Sequence, residues 1–143
     1  MQPLIIDYKG YTITTDKSLM NVHEVHKWLS EKSYWTPGIA FEKVKTAFDH
    51  SYCIGVLSGG TQVAFGRLIT DYASFAYLAD VYVLEEHRGK GLGKAMMKIL
   101  MDLEWVGGLR AVMLATLDAH GLYRQFGFTE IPNPERYMKL NKQ

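Results

Sequence analysis

The sequence predicts an α/β fold with a mixed, mostly antiparallel central sheet flanked by helices. Three observations carry this reading. The chain has 143 residues, 48% of them apolar and 22% charged, which suits one soluble domain around one core. Three strand-like runs follow one another mid-chain, "SYCIGVL", "QVAFGRLIT" and "SFAYLADVYVL", separated only by Gly59-Gly60 and an Asp71-Tyr72 bend. Runs joined this tightly pair as an antiparallel meander. Helical and strand patterns then alternate, so the sheet is mixed, with helices on its faces.

Taken in order, "PLIIDYKGYTITTD" reads as two short strands about a Lys9-Gly10 turn. Leu19, Val22, Val25, His26 and Leu29 recur at helical spacing and predict a first helix near 18–30. Thr36 can cap a second helix with Pro37 at its first position, running to about Phe48. After the meander, Leu92, Ala95, Met96, Ile99, Leu100 and Leu103 form one stripe, with Lys90, Lys94, Lys98 and Asp102 opposite. That helix should stop near Gly107-Gly108. "LRAVMLAT" reads as a buried strand and "DAHGLYRQF" as a short helix capped by Asp118 and ended by Gly127. "FTEI" and "RYMKL" read as closing strands.

Composition narrows the function classes. A formal net charge of +1 gives no broad basic face for nucleic acid and no reason to invoke a membrane surface. The single cysteine, Cys53, excludes an intramolecular disulfide and fits a reducing compartment. It lies in "YCIGVL" and reads as a core residue rather than a nucleophile. The N-terminus lacks the basic flank and long apolar run of a leader, and no stretch reaches the ~20 apolar residues of a spanning helix. The expected location is the cytoplasm. His23, His26, His50 and His87 show no metal-ligand spacing, so no metal is expected.

The most informative stretch is "LEEHRGKGLGKAM", residues 84–96. Gly89, Gly91 and Gly93 alternate with basic residues directly before the amphipathic helix, and a strand feeds the turn. A helix N-terminus offers unpaired N–H groups and partial positive charge, and glycines let backbone amides approach an anion. Arg88, Lys90 and Lys94 add full charges. The arrangement suits a pyrophosphate. Two familiar phosphate loops do not fit. GxxxxGK[ST] would need glycine at Arg88 and serine or threonine at Ala95. GxGxxG would need its last glycine at Lys94 or Met96.

The pattern [RQ]xxGx[GA] does fit, read as Arg88-Gly89-Lys90-Gly91-Leu92-Gly93. It resembles the coenzyme A pyrophosphate loop of the GNAT superfamily of N-acetyltransferases. A second stretch, Ala119 to Phe128, is similar to that family's AxxLYxxxGF marker. The resemblance covers roughly residues 18–140. One departure is Thr116, where many members carry asparagine seven residues before the tyrosine.

The resemblance implies the acyl-CoA N-acyltransferase fold over one domain, residues 1–143, and acetyl-CoA as cosubstrate. It implies that Arg88, Gly89, Lys90, Gly91, Leu92, Gly93 and Lys94 hold the pyrophosphate. Main-chain groups around Val81, Tyr82 and Val83 would pair with the pantetheine arm and donate to the thioester oxygen. The chemistry sets further requirements. An amine of pKa about 10.4 is neutral in only about one molecule in a few thousand at pH 7, so its proton must be removed. The departing thiolate must gain one. Tyr123, a phenol of ordinary pKa near 10, is the acid that the resemblance implies. Two residues are candidates for the base: Asp80, a carboxylate within "AYLADVYV", and His120, one helical turn before Tyr123. Leu122 and Phe126 define the buried stripe of that short helix, with Tyr123 beside it.

The acceptor pocket would be built from the first two helices, their connecting loop and the strand edge. Tyr34 and Trp35 would wall it, unless they merely pack the helix junction, and "DYASFAY" would lie nearby. The acceptor is a small-molecule amine or an amine of a protein, and a homodimer is compatible with the sequence but not required by it. A rival reading keeps the fold as a coenzyme-A-binding sensor without catalysis. A second rival uses "HRGKGLGK" as a basic interaction patch, against which the near-neutral charge counts.

Overall fold

The computed structural model describes residues 1–142. Six strands form one sheet in chain order: β1 (Ile5–Tyr8), β2 (Tyr11–Thr14), β3 (Tyr52–Ser58), β4 (Thr61–Thr70), β5 (Phe75–Val83) and β6 (Ala111–Leu114). All neighbours pair antiparallel except β5 and β6, which run parallel. The turns explain the register. Lys9 and Gly10 both take positive φ, as do Gly59 and Gly60, which is what two-residue hairpins of this twist require.

The helices are α1 (Val22–Lys32), α2 (Phe41–Asp49), α3 (Leu92–Met101), α4 (Glu104–Gly107) and α5 (His120–Arg124). Two cores result. One, containing Ile54, Val56, Leu68 and Leu78, packs against Leu92, Met96, Met97 and Leu100 of α3. The other joins Val25 and Leu29 of α1, Val44 and Phe48 of α2, Phe65 and Tyr82. Cys53 lies in this second core. Its thiol donates towards the Phe48 carbonyl at 3.6 Å, and burial pushes it up to about 12. Among the described residues no helix is long and apolar enough to cross a membrane.

Several expectations are corrected. The first helix is split: Asp16 caps a 3-10 turn at Lys17–Leu19, and α1 starts afresh because the Asn21 side chain accepts from the N–H groups of His23 and Glu24. The second helix begins at Phe41, not at Pro37. Gly38 takes φ +73°, and its N–H reaches back to the Ser30 carbonyl, so Thr36–Gly38 closes a turn onto α1. The long helix ends at Met101, where Leu103 turns extended and starts α4, burying Val106. At α5 the N-cap is Ala119, with no side-chain cap bond, and not Asp118; the Thr116 hydroxyl accepts from the Ala119 N–H at 3.0 Å and tightens the approach to the helix. Gly127, at φ +92°, ends that helix as expected. Neither "FTEI" nor "RYMKL" is a strand; among the described residues the only regular element after α5 is a 3-10 turn at Pro134–Arg136.

Candidate active site

The glycine turn lies where β5 delivers the chain to α3. A 3-10 turn at Glu85–His87 ends at Arg88, and Gly89 and Gly91 take φ +78° and +79°. The first α3 bond runs from the Ala95 N–H to the Gly91 carbonyl at 2.9 Å. The N–H groups of Leu92, Gly93 and Lys94 therefore lie ahead of the helical ladder. Residues 88–91 and Lys94 are exposed, so the loop and its cations face outward. No acidic residue stands in the first turn of α3. At Gly91 an added Cβ would stand 2.7 Å from the Tyr8 hydroxyl, which donates to the Lys90 carbonyl at 3.4 Å. The Arg88 Nε donates to the Val83 carbonyl at 3.0 Å and braces the turn against the strand.

The parallel ladder between β5 and β6 stops at Leu78–Leu114. Beyond it, Ala79, Tyr82 and Val83 of β5 remain paired with β4, Asp80 and Val81 lie at a register shift, and none of the five has a strand on the other side among the described residues. This bare edge, which includes Val81, Tyr82 and Val83, runs directly to the glycine turn. The ladder opens there because β5 bulges against β4 between Phe65 and Arg67, and Asp80 takes φ +56°. The Tyr82 side chain turns away into the second core. Its hydroxyl accepts from Gln62 Nε2, and burial pushes the phenol up to about 12.

Asp80 sits at the head of the opened edge. One carboxylate oxygen accepts from Arg67 Nε at 2.7 Å and the other from the Trp35 indole N–H at 2.9 Å. Side-chain exposures of 15% and 12% make Arg67–Asp80 a largely desolvated ion pair. Arg67 also donates to Ser51 Oγ at 2.8 Å.

Tyr123 is 7% exposed and packs edge-on to Phe128. It is more buried than Leu122 and Phe126, which reverses the order expected from the helical stripe. Its hydroxyl makes no hydrogen bond among the described residues, yet it is not sealed from solvent. Burial raises its pKa, and the nearby Asp118 and the Tyr34 phenol push it further the same way. Tyr34 itself lies in the loop between α1 and α2. There the Trp35 ring lies 5.0 Å from Tyr34 and 5.6 Å from Trp28, and Trp28 stacks on Tyr82 at 4.5 Å. His120 is exposed and lines, together with Tyr123, a cleft along β6. The "DYASFAY" turn lies at the other end of β5 from the glycine turn, where Tyr72 packs on Trp105 and Asp71 accepts from three backbone N–H groups.

Residues 22–128, most of the chain, match the model of the acetyltransferase (GNAT) family. The chain belongs to the GNAT acetyltransferase family. As a GNAT enzyme it is an acetyl-CoA-dependent N-acetyltransferase, with acetyl-CoA as cosubstrate. It is 34% identical over 133 residues to a Gibberella zeae protein classed as an acetyltransferase, covering 79% of this chain and 75% of that one. It is 32% identical to a serotonin N-acetyltransferase of Oryza sativa subsp. japonica, covering 91% of this chain and 67% of that one. A crystal structure of a GNAT-family protein from Xanthomonas campestris pv. campestris superimposes with a TM-score of 0.89 at 46% identity, over 92% of each chain.

The GNAT site contains residues that sequence reasoning missed. Arg67, Trp28 and Tyr8 each touch a functional side chain or loop. Arg67 had a readable signal, a charge inside the apolar run "AFGRLIT". Trp28 and Tyr8 had none, since their partners lie on other elements.

Proposed function

We propose that this enzyme acetylates a small-molecule primary amine by direct attack on the thioester, with no acyl-enzyme intermediate. One observation carries the reading: Tyr123, whose hydroxyl makes no hydrogen bond among the described residues, stands on the element that follows β6, whose ladder stops at Leu78–Leu114 and leaves the rest of the β5 edge bare. The amides from Arg88 to Lys94 hold the pyrophosphate, helped by the exposed Arg88, Lys90 and Lys94. The bare edge at Val81, Tyr82 and Val83 pairs with the pantetheine arm and offers an N–H to the thioester oxygen, where negative charge develops. Tyr123 protonates the departing thiolate; its raised pKa keeps the proton available at neutral pH.

The acceptor enters beside the loop between α1 and α2. Trp35 and Tyr34 wall it, and Trp28 supports Trp35 from behind. Asp80 draws in the ammonium form and takes its proton through water. Arg67 and Trp35 hold the carboxylate in place without enclosing it. His120 is exposed on α5 and takes no part in proton transfer in this reading. The aromatic wall and the name of the rice relative both favour an aromatic amine as acceptor. The lone buried thiol supports a reducing, cytoplasmic setting in this reading.

The test is a panel of amines assayed by release of the coenzyme thiol, comparing serotonin and other arylalkylamines with polyamines and with peptides bearing lysine. Turnover confined to peptide amines, or absent with every amine despite coenzyme binding, rejects the reading. Asp80→Asn should lower kcat/KM most at the acidic end of the pH profile, and His120→Gln should leave the profile unchanged.

A further inference from the structure

The N-terminal hairpin of β1 and β2 lies outside the stretch that matches the family model, which begins at residue 22, yet it reaches the glycine turn. Two side chains make the contact across the fold. The Tyr8 hydroxyl donates to the Lys90 carbonyl at 3.4 Å, and the Tyr11 hydroxyl lies 2.8 Å from His87 Nδ1. Tyr11 is 9% exposed and meets the His87 ring edge-on, so this join is packed as well as bonded. The Lys9-Gly10 turn thereby stands beside the glycine turn.

Between the two turns lies a cavity of about 480 Å³, lined by Lys9, Gly10, Tyr11, Ser58 and Lys90. Its charge is all of one sign. It has two ammonium groups, the Ser58 hydroxyl as a further donor and, among the described residues, no acidic lining. Lys9 is held there by its backbone and by its neighbour. Its φ of +50° belongs to the hairpin turn, and its Nζ lies 5.2 Å from the centroid of the Tyr8 ring. Two like charges facing one cavity repel, and an anion between them turns that repulsion into attraction. Lys90 belongs both to the cavity and to the glycine turn.

We infer, resting on the glycine turn's hold on the pyrophosphate, that this cavity takes the phosphomonoester of the coenzyme. Coenzyme A carries its pyrophosphate on the 5′ oxygen and a separate phosphate on the 3′ oxygen of one ribose. A site for the second group must then lie one sugar away from the first. The cavity that shares Lys90 with the turn meets that condition. A phosphomonoester carries about −1.5 to −2 charges at neutral pH, which two ammonium groups match. Lys9 and Ser58 are then coenzyme-binding residues supplied from outside the glycine motif. Through them the hairpin selects acetyl-CoA over forms of it that lack the 3′-phosphate.

Calorimetry on the full chain compares acetyl-CoA with acetyl-dephospho-CoA, which keeps the pyrophosphate and lacks the 3′-phosphate. The wild type should bind the first about tenfold tighter, the worth of one charge-assisted hydrogen bond. Lys9→Asn suits the left-handed backbone of the turn, so the fold is kept. It should weaken acetyl-CoA about fivefold or more and leave the dephospho form within about twofold. The preference should also shrink as salt rises, because both lysines are exposed. Lys27→Gln, exposed on α1, should change neither affinity. Lys94→Gln should weaken both ligands alike, since both carry the pyrophosphate. Equal wild-type affinities overturn the subsite and leave the turn's role standing. Lys9→Asn weakening both ligands alike also overturns it, as does a preference lost in Lys27→Gln, which would be an effect of net charge. Inorganic phosphate that binds at Lys9 without any preference between the two coenzyme forms assigns the cavity to a free anion and overturns it too. A Lys94→Gln variant that weakens neither ligand overturns the turn's role and the subsite with it.

Discussion

At the scale of single residues, two polar groups have no hydrogen-bond partner among the described residues, one at the site and one at the far end of β5. Tyr123 keeps an unbonded hydroxyl at an opening, where a substrate atom can use it. Tyr123→Phe should therefore lower kcat about 100-fold, with coenzyme affinity and unfolding midpoint unchanged. An unaltered kcat would remove the phenol from the mechanism. Trp105 has an inaccessible indole N–H with no acceptor, wedged between Tyr52 and Tyr72. Leaving such a donor unpaired costs about 1–3 kcal/mol, which offsets much of what the larger ring contributes. Trp105→Phe should then change stability by no more than about 1 kcal/mol, whereas Trp105→Ala should cost about 3 kcal/mol or more. Urea unfolding of both variants checks the difference.

At the scale of elements, the junction of β5, the glycine turn and α3 does most to set the geometry. Gly89 and Gly91 share a left-handed backbone, but only Gly91 also faces a neighbour, the Tyr8 hydroxyl at 2.7 Å from a Cβ position. Gly89→Ala should show only the backbone cost, roughly 1–2 kcal/mol. Gly91→Ala should cost more, and Tyr8→Phe in the same chain should recover the excess but not the backbone part. Thermal unfolding reads the stabilities, and titration with acetyl-CoA should show weakened binding in both alanine variants. Equal losses at the two glycines would contradict the geometry. This junction was legible in the sequence because glycine, charge and helical periodicity all act locally there. The start of α2 was not, because Thr36-Pro37 is a good local cap and only Gly38, folding back onto Ser30, overrides it. The strand expected at "RYMKL" does not form, because alternation alone does not carry a partner and the chain turns at Asn133–Arg136. The opened edge and the Arg67–Asp80 pair were also hidden, since a bulge between two strands is a property of their register and not of either run.

At the scale of the whole molecule, burial of weak acids ties stability to alkalinity. Cys53 and Tyr82 are each pushed up to about 12, from 9.0 and 10.0, and Tyr123 is raised as well. In all three, desolvation is the largest cause. The folded chain keeps these protons where the unfolded chain releases them. Stability should therefore be level below about pH 9 and fall as pH rises towards 12, each group adding a slope of up to about 1.4 kcal/mol per pH unit. Tyr82→Phe should make the decline above about pH 10 shallower, as urea midpoints taken across that range would show.

Cys53 also has a practical consequence. It is the chain's one sulfhydryl, and it lies in the second core, protonated and covered. Colorimetric disulfide reagents need an ionised, reachable sulfur. Added to a turnover mixture, they should react with liberated carrier and leave the catalyst untouched, so a continuous optical trace can be recorded without a blank for the protein.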